Sequence, residues 1–169
     1  MTVDYSIDAM YEIRRHLWEE LVEHKIFIER DYYNDSIGQE IVPIIPVQQS
    51  PELNQFLSGK THIVYDKIGM SYDENWMICN ERMLFTLYST DYSELNTIRN
   101  LMIDVFRRMD DSAKDLNGSR STDKLKFHST VILEISPTEP SDELQGFLSC
   151  DVVIEVKYSR IVDGVGRFS

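Results

Sequence analysis

Four histidines, two cysteines and twenty-nine acids are the residues with which this chain of 169 could do metal, acid–base or nucleophilic chemistry. His16, Glu20 and His24 stand four apart, so a helix would line them along one face at a ligand-like spacing. No fourth ligand or supporting partner accompanies them, and such residues are ordinary on a wet helix face, so a required metal is not expected there. Asp104, Asp110, Asp111 and Asp115 are the residue type that two-metal nucleases cluster. Arg107, Arg108 and Lys114 interleave with them, which predicts a charge-laced helix making surface ion pairs instead. His62 and His128 flank strand-like segments, and the sequence brings no acid or nucleophile near either. Glycine-rich phosphate loops, GxSxG, HExxH and CxxC are all missing. Cys79 and Cys150 lie in strand-like segments and read as reduced core thiols of an intracellular protein. The expectation is a protein without catalytic residues, cofactor or metal.

The elements that would position these residues follow from apolar period. Over 6–25, Ile7, Met10, Leu17 and Leu21 recur at helical spacing, Tyr11 and Trp18 widen the stripe, and Ser6 is a candidate N-cap. From Thr61 the period becomes two. Strands are expected at 61–67, 77–90, 126–135 and 148–160, with 69–75 as a polar connection. Between them, Asp91 and Glu94 have capping-box spacing, and Leu95, Ile98, Met102, Val105 and Met109 mark a second helix over 92–116. Adjacent strands without crossover helices favour antiparallel pairing. The expected fold is a single α+β domain over 1–169: a two-layer, mainly antiparallel sheet of four to five strands covered by two amphipathic helices. A proline-containing arm at about 29–60 and a loop at about 136–147 are the candidate protrusions.

Charge narrows the partners. Seventeen Lys and Arg against the acids leave a net −12, which repels nucleic acid and anionic bilayers. No apolar run is long enough for a spanning helix, and the opening MTVDYSIDAM lacks the charge and apolar core of a signal peptide. Seven bases, Arg99, Arg107, Arg108, Lys114, Arg120, Lys124 and Lys126, concentrate in one stretch diluted by five acids. Residues 31–59 hold no base and four acids, Asp31, Asp35, Glu40 and Glu52, so the basic stretch could meet this arm on a neighbouring subunit.

The arm contains EIVPIIPV, Glu40 to Val47. Pro43 and Pro46 each lack an N–H, which bars the segment from a central strand and leaves an edge or an ordered apolar arm. Ile41, Val42, Ile44, Ile45 and Val47 either pack on the chain's own core or bury against another protein. An intersubunit contact is the expectation pursued, with Ile44 and Ile45 outside the main core and Arg107 and Arg108 as charge partners. Trp76, beside a polar loop, is a further candidate contact.

The layout resembles the tail-terminator, or tail-completion, proteins of long-tailed bacteriophages. The resemblance rests on an N-terminal helix, a proline-containing loop, Ile63-Val64-Tyr65, and a strand MLFTLYSTD (Met83–Asp91) leading directly into a helix. The chain then closes on VVIEVKYSR (Val152–Arg160). The pieces DENW (73–76), ICNERMLF (78–85), IDVFRRMDDSAKDLN (103–117) and DELQGFLSCDVVIEVKYSR (142–160) are similar to versions in contractile-tailed phages of cyanobacteria. This implies a structural virion protein at the tail–neck junction, assembled in the host cytoplasm. It implies a homo-oligomer, a hexameric ring that caps the tail tube and offers a surface to sheath, neck or head connector, with DNA passing through unbound. Sheath-terminator and head–tail joining proteins share the outline, and a small acidic protein-binding adaptor is the alternative from a different class.

Overall fold

The computed structural model describes residues 8–48, 51–73, 78–107, 116–117 and 125–160, with backbone alone at 51 and 52. Helix α1 (Ala9–Glu23) begins where the Asp8 carboxylate accepts the Met10 N–H at 3.0 Å. The cap is therefore Asp8, two residues later than expected; Ser6 and Ile7 lie outside the described residues. Met10, Ile13, His16, Leu17 and Leu21 form the buried stripe, while Tyr11 turns to solvent. Lys25 takes φ +58, the left-handed step that ends the helix. A 3-10 turn (Glu29–Tyr32) leads into a two-residue hairpin, β1 (Tyr33–Asn34) and β2 (Gln39–Glu40), then β3 (Ile44–Pro46) and a short α2 (Pro51–Leu57). The rest is β4 (His62–Tyr72), β5 (Cys79–Ser89), α3 (Tyr92–Phe106), β6 (Leu125–Ile135), β7 (Glu139–Pro140) and β8 (Leu148–Arg160).

The expected α+β fold is present, with a sheet wider than anticipated. Its strand order is β3-β4-β5-β8-β6, with β7 also on β8, and every pairing is antiparallel except β3 on β4. Alternation assigns the faces. Met83, Phe85 and Leu87 of β5 join Cys150, Val152, Ile154 and Val156 of β8 beneath the helices. Helix α3 lies across β5, β8 and β6, and α1 packs beside α3. Among the described residues, the other sheet face carries no helix of comparable length.

Three boundaries differ from expectation for physical reasons. β4 does not stop before Gly69; a bulge between Lys67 and Gly69 absorbs the irregularity and pairing resumes to Tyr72 opposite Cys79. The 136–147 segment is partly ladder, since β7 pairs with the start of β8 and the Ser141 N–H reaches the Phe147 carbonyl. The capping box at α3 is half formed. Asp91 accepts from the Ser93 N–H, but its own N–H goes to Ser89 Oγ and not to Glu94. The expected end of this helix, near Leu116, is described only at residues 116–117, and Met109 lies outside the described residues.

Asn117 shows how the chain re-enters the sheet. Its amide accepts the Phe127 N–H at 2.9 Å and donates to the Phe127 carbonyl at 2.8 Å, imitating a neighbouring strand. Asn117→Ala should cost about 1 kcal/mol and speed hydrogen exchange at the Phe127 amide. A urea titration with exchange measured at that amide checks both.

Candidate functional site

The residues with chemical potential are dispersed. His16 is buried and stacks edge-on against Phe106, whereas Glu20 and His24 face water 3.7 Å apart. Helical spacing put the three in one row, but the row straddles the core boundary. Asp104 pairs with Arg107 at 3.8 Å, and Asp110, Asp111 and Asp115 lie outside the described residues. Among the described residues no group of three His, Cys, Asp or Glu is placed to hold a metal ion. His128 bonds Ser159 Oγ at 2.9 Å, and burial, with Lys126 and Lys157 nearby, lowers its affinity for a proton. Both cysteines are free and buried, and burial pushes both thiols up.

Two buried acids, Glu12 of α1 and Glu81 of β5, escaped the sequence reading. Glu81 alternates with Cys79, Met83 and Phe85, a pattern that already assigned it to the core face. It is 2% exposed and accepts the Tyr158 O–H at 3.1 Å. Burial raises its carboxyl, against the pull of Lys67 and the tyrosine bond, and burial beside Glu81 raises Tyr158 as well. A folded value above the ordinary 4.5 means that charged Glu81 detracts from stability above its folded value. That deficit disappears as pH falls toward 4.5. Glu81→Gln should therefore be more stable than the parent at pH 7, with the gap closing on acidification; urea midpoints across that range check it.

The expected interface residues divide. Ile44 and Ile45 are 0% and 3% exposed, inside the chain's own core, so the expectation that they lie outside it is corrected. The cause is register: β3 pairs parallel with β4, Ile44 opposite Ile63 and Ile45 opposite Val64, and the Arg14 Nε donates to the Ile44 carbonyl at 2.6 Å. Ile41 and Val42 are half-buried and Val47 is exposed. Trp76 and Arg108 lie outside the described residues. Arg107 closes α3 next to Phe106, whose carbonyl accepts the Thr130 O–H of β6 at 2.9 Å. Arm and arginine therefore sit at opposite edges of one sheet.

Those edges expose both backbone and apolar side chains. β3 covers β4 only at 63–65, leaving 66–72 without an outer neighbour among the described strands. That stretch carries Ile68, Met70 and Tyr72, 48%, 55% and 61% exposed. β6, the strand at the far end, shows Leu133 and Ile135 at 45% and 38%. Open apolar edges are templates for further pairing. Register puts the two open backbones level, Asp66 through Leu84 and Val153 with Glu134 and Tyr72 through Cys79 and Tyr158 with Phe127. The exposed apolar side chains are offset, Met70 standing level with Thr130 and Ile135 with Tyr65.

The sheet face away from α1 and α3 holds a trough between β3 with α2 on one side and the 139–147 segment on the other. Its two lobes, about 440 and 350 Å³, share Val47, Val64, Tyr88 and Glu143. One wall is aromatic: His62 stacks on Tyr88 at 5.2 Å and meets Phe147 edge-on. The Tyr88 hydroxyl donates to Glu143, and burial with that acid pushes Tyr88 up to about 12.

No protein-family profile matches this chain, and no curated protein does. Among solved structures, a chain from the virion of the native gene transfer agent particle is similar, with a TM-score of 0.53 and 9% identity. The match covers 92% of this chain and 99% of that one, a likeness of fold along almost the whole of both.

Proposed function

We propose that this chain is a structural virion protein that closes head to tail into a ring, capping the phage tail tube and meeting the neck. The observation that carries the reading is the pair of open sheet edges, 66–72 of β4 and 127–134 of β6, whose backbones stand level. β4 and β6 run in opposite directions across the sheet, so a copy placed alongside brings its β6 antiparallel to the exposed half of β4. Each copy offers one edge of each kind. Such a heterologous contact repeats until rotation closes it, and a closed ring has no edge left to recruit more copies.

Fold likeness to a virion chain, the outline shared with tail-terminator proteins and the net −12 support this reading. Six such chains would present a strongly negative ring, suited to letting DNA pass rather than holding it. Sheath termination and head–tail joining would use the same ring on a different surface. The functional test is tube growth. Added to its own polymerising tube protein, the chain should hold tubes at the length already reached. Continued growth at an unchanged rate would exclude capping.

A further inference from the structure

The trough on the open face goes beyond ring closure, since of its lining residues only Asp66 lies in the stretches of β4 and β6 that would pair between copies. Asp66, Glu139, Asp142, Glu143 and Asp151 line one lobe, all five are exposed, and none is ion-paired among the described residues. Neither lobe contains a lysine or an arginine. The carboxylates are spread along the groove and converge on no point that could hold a metal ion. Val47, Val64, Leu84, Leu57 and Phe147 line the same two lobes and supply apolar surface beside the carboxylates.

His62 supplies an independent observation. It lines the second lobe and is 6% exposed. Nδ1 lies 2.8 Å from the Lys60 carbonyl and must donate to it, which leaves Nε2 as an acceptor with no hydrogen-bond partner among the described residues. Burial lowers the affinity of the ring for a second proton, so the acceptor persists at neutral pH. Among the described residues Glu143 and Asp151 accept only from the Tyr88 and Thr86 hydroxyls, so five carboxylates without a cation and a ring nitrogen without a donor line one trough.

We infer that this trough docks an extended segment of a partner protein in which lysine or arginine alternates with aliphatic residues. Period-two alternation sends cations to the carboxylates and aliphatic side chains to the Val47, Val64 and Leu84 surface. The charges steer encounter, and the apolar surface supplies the selectivity that charge alone lacks. Small apolar cations and single ions satisfy only part of this lining.

The probe is a synthetic peptide of four Lys-Val repeats titrated into the full chain, with amide shifts and calorimetry recorded at physiological salt. Shifts should map to Val64, Leu84 and the 139–151 region. Glu139→Gln with Asp142→Asn and Glu143→Gln should weaken binding about tenfold or more. Removing three exposed acids elsewhere, Glu23→Gln, Glu29→Gln and Asp35→Asn, should leave it within about twofold. Equal binding of oligolysine, equal loss in both triple variants, or no binding by the parent would each overturn the inference. Because the readout is peptide binding, it stands or falls separately from ring mass.

Discussion

Replacing Ile44 and Ile45 with aspartate should unfold the chain outright. Both side chains are sealed in the core, and β3 is held by the parallel ladder to Ile63 and Val64 and by the Pro43 carbonyl accepting the Ile63 N–H at 2.8 Å. Removing a buried isoleucine costs about 2–5 kcal/mol through lost transfer energy and the cavity left behind. A carboxylate in its place adds the penalty of an unpaired buried charge. Two such changes together reach the whole stability of an ordinary domain, roughly 5–15 kcal/mol. Circular dichroism of the double variant should lack a cooperative thermal transition. Val47→Asp, on an exposed neighbour, should keep one. A native-like transition in the double variant would mean that β3 is dispensable to the core.

That outcome bears on how far the sequence was legible. The period switch located both long helices and all four long strands, because amphipathic faces leave their mark within a few residues. Pro43 and Pro46 correctly confined their segment to a sheet edge, since a missing N–H is a local property. Whether Ile44 and Ile45 faced their own core was not local. It depends on a parallel pairing with β4 across the intervening α2, and nothing within EIVPIIPV encodes that partner. Gly69 misled in the other direction: a glycine among polar residues signals a turn, yet here it follows a bulge inside a continuing strand. The trough was illegible for the same reason as the ladder. Asp66, Glu139 to Glu143 and Asp151 are far apart in sequence and meet only through the order β4-β5-β8 with β7 on its flank. Glu81 was within reach, because strict alternation already placed it beside Met83.

The second large effect concerns assembly. Ile68, Met70 and Tyr72 expose apolar surface on an edge that lacks a neighbour, and lysine on such an edge is an efficient block to further pairing. Full burial of side chains of this size contributes roughly 1.5–3 kcal/mol each before the costs of association. Their joint replacement by lysine should weaken each subunit contact about a hundredfold or more. Fold should survive, because all three are exposed in the single chain. Lysine at Ile28 and Tyr92, exposed positions off that edge, controls for added positive charge.

Native mass spectrometry of the parent chain beside the Ile68→Lys, Met70→Lys, Tyr72→Lys variant, over a range of concentrations, tests the ring most directly. Head-to-tail edge pairing predicts a closed oligomeric mass, and the proposed tail-capping role six copies, for the parent and for the Ile28→Lys, Tyr92→Lys control, and a folded monomer for the edge variant. A parent that stays monomeric throughout, or an edge variant that assembles as the parent does, would contradict it.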